Sequence, residues 1–302
     1  MTVDYSIIIP VYFNEGSLKA TFDLINNNVL KNNPNLTHEV IFVDDGSGDN
    51  SLKVLLELKR DFPNIVKVVK LSRNFGQPNA RLAGYELANG KCAIHVSADL
   101  QDPPELMNQM LDYHFNKDYD IVIAVRTNRN DGFITGATSR FFYGLIQKLC
   151  FKNMPIGGFD YHLISDRVKN IIVENKEANS FFQGQVLWTG FDLKEIPYER
   201  LERTIGTSRW TFSKKVKLLI DGLLSYSYLP MRIMTIVGSL IASSGFIYAL
   251  WILIRAFLGY KPAIGWAPMM IVTLILSGFQ MLMLGIFGEY MWRILDQVRN
   301  RK

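Results

Sequence analysis

The feature that most constrains this chain is the alternation, through its first 126 residues, of short apolar runs with stretches of helical periodicity. Ser6 to Val11 reads as a continuous apolar strand, and Leu18, Phe22, Ile25 and Val29 then recur at helix spacing. Val40 to Val43 is the next strand and runs into Asp44-Asp45-Gly46-Ser47. Asp49 or Asn50 is placed to cap a helix whose buried face is Leu52, Leu55 and Leu58. Further strands are expected at Ile65 to Val69, Ala93 to Ser97 and Ile121 to Val125. Strands apolar on both faces and separated by helices call for an α/β fold, with a mostly parallel sheet covered on each side. Ligands of such sheets bind beyond the carboxyl ends of the strands. The polar residues expected at those ends are Tyr12, Glu15, Asp44, Asp45, Asp99 to Asp102 and Arg126.

The C-terminal third has a different texture. Ile233 to Ile254 and Pro262 to Gly288 contain no charged residue. Each run exceeds the roughly 20 residues a helix needs to cross a hydrocarbon core of about 30 Å, so two transmembrane helices are expected over 233–288. Two fully buried helices of a water-soluble core are the alternative. Lys214, Lys215, Lys217 and Arg232 precede the first run, Arg255 and Lys261 lie between the two, and Arg293, Arg299, Arg301 and Lys302 follow the second. That distribution predicts both flanks on the cytoplasmic side and the loop outside. The opening residues MTVDYSIIIP lack a basic n-region, so no signal peptide is expected, and the region before the first run is expected in the cytoplasm. Between 210 and 232, Val216, Leu219, Ile220, Leu223 and Leu224 form one apolar face opposite lysines, which predicts an amphipathic helix in a membrane interface. The tail 289–302 reads as a basic cytoplasmic helix. Residues 1–209 are then expected to form a cytoplasmic domain, and the whole chain a multi-pass plasma-membrane protein. The formal net charge of +5 does not point to nucleic acid, because the basic residues crowd these flanks rather than interleaving with aromatic platforms.

Cys92 falls in an apolar strand and Cys150 in an apolar helix, neither with metal-ligand spacing. Ser97-Ala98-Asp99-Leu100-Gln101-Asp102-Pro103-Pro104-Glu105 follows a central strand. A carboxylate there, with a second oxygen two residues on, suits Mg2+ or Mn2+ against a diphosphate, while the same residues also suit a plain turn. His95, within an apolar run, reads as a satisfied core residue.

The segments IIIPVYFNE, FVDDGSGDNS, LSRNFGQ, ADLQDPPEL, GGFDYHLI and RTIGTSRW stand in the order and rough spacing seen in family 2 glycosyltransferases of the GT-A fold. Over nearly its whole length the chain resembles their polyprenyl-phosphate branch, which includes dolichol-phosphate mannose synthases and bactoprenol glucosyltransferases. The resemblance implies that Pro10, Tyr12, Glu15, Asp44, Asp45 and Asp99 bind the nucleotide sugar, with Asp44 on the base and Asp45 orienting a loop near the ribose. It places Asp99 and Gln101 at the metal and Asp160 at the catalytic base. Ser97 stands where the family usually has a further Asp, His162 where Arg is common, and Arg209 where Lys is usual. Arg126, Arg140, Arg203, Ser208 and Arg209 are implied at the lipid phosphate, since guanidinium forks match phosphate bidentately.

The implied reaction is an inverting, in-line transfer of a sugar from a nucleotide donor, UDP-glucose first, to undecaprenyl phosphate, for cell-envelope glycan or O-antigen modification. N-acetylglucosamine, galactose and mannose are alternatives, as is a catalytically impaired membrane-anchored nucleotide-sugar-binding protein. A processive polysaccharide synthase would carry a Gln-x-x-Arg-Trp helix, which is not present in the sequence. The resemblance also implies a homo-oligomer such as a tetramer.

Overall fold

The computed structural model describes residues 3–127, 144, 146–148, 150–155, 158–175, 181–201, 226–227, 229–258 and 265–299. Its first unit begins with β1 (Val3–Val11), α1 (Leu18–Ile25), a π-helical turn (Asn26–Leu30), β2 (His38–Asp44), α2 (Ser51–Asp61), β3 (Val66–Lys70), α3 (Gln77–Leu87) and β4 (Gly90–His95). It continues through α4 (Leu106–Phe115), β5 (Ile121–Arg126), β6 (His162–Ser165), α5 (Asp166–Glu174), α6 (Phe182–Trp188) and β7 (Leu193–Tyr198). The seven strands form one sheet in the order β3-β2-β1-β4-β6-β5-β7. Every neighbouring pair is parallel except those made by β6, which runs antiparallel to both β4 and β5.

The patterning follows from position in the sheet. β1 is central, and Ile7, Ile8 and Ile9 are all fully buried, so the strand has no polar face. β3 lies at one edge and exposes Lys67 and Lys70, charges that discourage further strand pairing. At the other edge β7 tolerates Pro197 and turns Ile196 and Tyr198 inward. Helix α3 comes down so closely on β1 that a Cβ on Gly84 would collide with Ile8, which makes glycine a packing requirement there. Asn50 precedes α2 without a side-chain cap. Asp49 Oδ1 instead accepts from the Ser51 amide, and Glu15 Oε2 from the Asn50 amide. Leu55 and Leu58 are buried, as the helical spacing predicts. Both cysteines are free; Cys92 is buried in β4, and Cys150 lies in a turn rather than in the expected helix.

A second unit holds α7 (Leu229–Phe257) and α8 (Trp266–Arg299). They meet at Gly238, where an added Cβ would lie 3.6 Å from the Phe279 ring and 3.7 Å from Met283 Sδ. The expectation of two transmembrane helices is corrected here: among the described residues no helix is long and apolar enough to cross a membrane. The helices do not coincide with the uncharged runs. Arg232 and Arg255 fall inside α7, and Glu289, Arg293, Asp296 and Arg299 inside α8. Ser239, Ser243, Ser244, Thr273, Ser277 and Gln280 interrupt the apolar residues between them. The expected multi-pass placement in the plasma membrane falls with the spans. The expected interfacial helix lies, over 210–225, outside the described residues.

Candidate active site

Because β6 is antiparallel to its neighbours, its N-terminal end lies at the same sheet edge as the C-terminal ends of β1, β2, β4 and β5. That edge therefore gathers Tyr12, Asp44, Asp45, the 97–102 loop, Arg126 and Asp160. The sequence separates these residues widely; the topology brings them together.

Asp44 closes β2 and is almost wholly buried. Its Oδ1 accepts from the Ser47 amide at 3.1 Å, while its Oδ2 has no hydrogen-bond partner among the described residues. A buried carboxylate oxygen without a donor is costly, and one at a strand end marks a place for a ligand donor. Asp45 is used differently. Its two oxygens accept from the amides of Phe75 and Gly76, at 2.7 and 2.9 Å, and burial pushes its pKa up. It thereby holds the loop after β3. Gly46, with φ of 69°, lies so close to Arg73 that a Cβ would come within 2.6 Å of its carbonyl carbon. Pro10 sits in β1 opposite Val43, and Tyr12 packs edge-on against Phe13 at 4.7 Å. Glu15 spends one carboxylate oxygen on the Asn50 amide, tying the end of β1 to the start of α2.

The loop after β4 carries its strain at Leu100, a non-glycine residue with φ of 61°. On either side of it, Ser97 Oγ lies 2.7 Å from Asp99 Oδ1 and 2.5 Å from Asp102 Oδ2. The hydroxyl has one proton, so it can donate to only one of the two carboxylates at a time. Tyr198 donates to Asp102 Oδ1 at 2.9 Å, and the Arg200 guanidinium stands 3.6 Å from Asp102 and 3.8 Å from Asp99. Gln101 turns its amide nitrogen to the Leu201 carbonyl at 3.3 Å. Among the described residues no group of three or more His, Cys, Asp or Glu side chains could hold a metal ion.

Arg126 Nε donates to the Tyr198 hydroxyl at 3.3 Å, and its guanidinium lies 3.8 Å from Asp160 Oδ2. The Asp160 side chain is half exposed, with Gln183 Nε2 3.4 Å from its Oδ1. Asp102, Tyr198, Arg126 and Asp160 thus form a continuous polar path across the end of the sheet. Arg140, Arg203, Ser208 and Arg209 lie outside the described residues.

Beneath Asp160, His95 and His162 stack with ring centroids 5.2 Å apart, and both Nδ1 atoms reach the Asp160 carbonyl, at 2.8 and 2.6 Å. His95 is a core residue, as expected, but its Nε2 is left without a partner among the described residues. Sequence reasoning missed Arg81, Tyr198 and Arg200. Arg81 is buried on α3 with its guanidinium 3.4 Å over the Phe182 ring, a cation on an aromatic face. Tyr198 ends β7, a strand whose charged pair and proline hide it in the sequence, so no local signal pointed to it.

Glycosyl transferase family 2 matches residues 6–170 of this chain. The chain belongs to that family. Relatives extend the match along the rest of the sequence. The uncharacterized glycosyltransferase YkcC of Bacillus subtilis is 34% identical over 99% of this chain and 92% of its own. The SfII prophage-derived bactoprenol glucosyl transferase of Shigella flexneri is 30% identical over 98% of this chain and 95% of its own. Among solved structures, the mannosyltransferase PcManGT of Pyrobaculum calidifontis, in complex with GDP-Man and Mn2+, aligns with a TM-score of 0.50 at 12% identity, covering 99% of this chain and 86% of that one. At that identity the likeness is one of fold. The six sequence motifs therefore identified the family correctly, and the chain is a glycosyltransferase with the α/β sheet they implied.

Proposed function

We propose that this glycosyltransferase moves a hexose, with inversion, from a nucleotide-diphosphate donor to a polyprenyl phosphate such as undecaprenyl phosphate, with UDP-glucose the first donor to test. The reading rests on the meeting of Asp44, the Ser97, Asp99 and Asp102 group, Arg126 and Asp160 at one sheet edge. It is supported by a relative named as a bactoprenol glucosyl transferase over almost the full chain.

In this reading Asp44 Oδ2 accepts from an N–H of the base, which satisfies its unpartnered oxygen. Pro10, Tyr12, Glu15 and Asp45 shape the nucleotide pocket, Asp45 through the loop it holds. Two carboxylates, the Ser97 hydroxyl and an amide oxygen of Gln101 form a hard donor set that suits Mg2+ or Mn2+, with coordination positions left for the diphosphate. Asp99 and Gln101, helped by Asp102, would hold such an ion, which when bound supplies neutralisation of the leaving diphosphate.

The acceptor phosphate, with a second pKa near 6, is largely ionised at neutral pH, so its oxygen needs orientation more than deprotonation. Asp160 orients that oxygen toward the sugar C1. Arg126 offsets the negative charge that Asp160 adds to the two anionic substrates. Arg140, Arg203, Ser208 and Arg209 complete the grip on the lipid phosphate. The test is incubation of the purified protein with undecaprenyl phosphate and a panel of UDP- and GDP-sugars, with the lipid products read by mass spectrometry. A lipid-phosphate hexose from one donor supports the reading, and its absence with every donor overturns it.

A further inference from the structure

Neither donor nor acceptor binding accounts for the two imidazoles under Asp160. The antiparallel register of β4 and β6 pairs His95 with His162, and the two rings stack nearly parallel, at 16°. Both Nδ1 atoms point at one oxygen, the main-chain carbonyl of Asp160. A carbonyl only accepts, so both imidazoles carry their proton on Nδ1, and its two lone pairs match the two donors. His162 Nε2 is then an acceptor, and the Tyr85 hydroxyl donates to it across 2.6 Å. The adjoining residue is held as well, since Gln183 Nε2 donates to the Phe159 carbonyl at 3.1 Å. The result is an asymmetric arrangement: the Asp160 main chain is fixed from below while its carboxylate stands half exposed at the sheet edge.

We propose that His95 and His162 are positioning residues for Asp160, fixing its peptide plane by a double donation so that the carboxylate is held in its working orientation. The proposal rests on the reading of Asp160 given above. Burial, with the Arg81 charge nearby, keeps both rings neutral: His95 is pushed down to about 3 and His162 well below its ordinary range. Neutral rings suffice for the double donation, because each needs only one N–H.

The test uses the full chain, with initial rates against UDP-glucose and undecaprenyl phosphate. His95→Leu keeps a similar volume and removes the donor. His95→Asn keeps an amide N–H near the Nδ1 position, and His95→Gln moves it farther out. Since misplacement of about 1 Å can cost on the order of a hundredfold, and one donor remains on the carbonyl, His95→Leu is expected to lower kcat roughly tenfold. Its donor KM should stay within about twofold of wild type, and His95→Asn should recover most of the loss. If His95→Leu fails to fold, the contrast between Asn and Gln decides, with Gln expected to be the slower. Wild-type kcat in His95→Leu, or equal loss in Asn and Gln, overturns the proposal. Asp160→Asn is measured alongside. If it lowers kcat while the His95 variants do not, the positioning role alone fails; if it keeps its kcat, the reading of Asp160 itself fails.

Discussion

The hydroxyl of Tyr198 donates to Oδ1 of Asp102 across 2.9 Å, joining two residues 96 positions apart in the chain. The same hydroxyl accepts from Arg126, whose guanidinium faces Asp160. One phenol therefore links the carboxylate group after β4 to the arginine beside Asp160. Tyr198→Phe keeps the ring packed against Tyr161 and removes only that link. Losing one buried hydrogen bond to a charged group costs about 1.5–3 kcal/mol, so kcat/KM should fall roughly tenfold or more. Steady-state kinetics with each substrate varied in turn checks it, and an unchanged kcat/KM would remove the path from the account.

Asp44→Ala should weaken UDP binding on the same scale, on the order of tenfold to a hundredfold, because it deletes both the cap on Ser47 and the buried oxygen at the base. Calorimetric titration of UDP into wild type and variant measures this directly. Equal affinity in the two would move the base elsewhere.

Ser97→Asp adds a third carboxylate beside Asp99 and Asp102. Without a divalent ion the like charges should destabilise the fold; with Mn2+ the variant should bind the ion more tightly than wild type does. Thermal unfolding with EDTA and with Mn2+ tests both halves. Asp99→Ala should abolish transfer, and full activity of that variant in excess EDTA would sink the metal assignment.

The buried imidazoles give the fold a pH dependence of known sign. The folded pKa of His95 is near 3, below its ordinary value of 6.5, so the folded state does not take up the proton that the unfolded state binds. The stabilising term is fully present above 6.5 and is lost as pH falls toward 3. At pH 5.5 His95 alone should cost about 1.4 kcal/mol, with His162 acting in the same direction. Asp4, held at about 2 by Lys91, loses its contribution only below its ordinary 3.8, so it does not blur this window. Urea unfolding at pH 7.5 and 5.5 should show the loss, and His95→Asn should reduce it.

Five of the seven strands were legible, because β1, β2, β4 and β5 are largely buried apolar runs and the edge strand β3 is rich in valine. β6 has only four residues and begins with a histidine, and β7 carries a charged pair and a proline at the sheet edge, so neither presents a strand period. Asp44, Asp99 and Asp160 could be named because each sits in a motif. Tyr198, Arg200 and Arg81 could not, since their partners come from distant elements and only the strand order brings them near. The π-helical turn at Asn26–Leu30 likewise escaped a reading that carried α1 onward through Val29. The uncharged runs at the C-terminal end suggested membrane spans, yet α7 and α8 take charged residues into the helices themselves, and helix boundaries are what apolar runs specify least well.

The central claim is tested most directly by single-turnover transfer from radiolabelled UDP-glucose to undecaprenyl phosphate, comparing wild type with Asp160→Asn. The account predicts an organic-soluble labelled lipid from the wild type, and a variant that binds the donor normally but forms that lipid at least tenfold more slowly, as an interaction used in the transition state requires. A variant as fast as the wild type would contradict the role given to Asp160, and a folded wild type that labels no lipid would contradict glucose transfer from UDP-glucose.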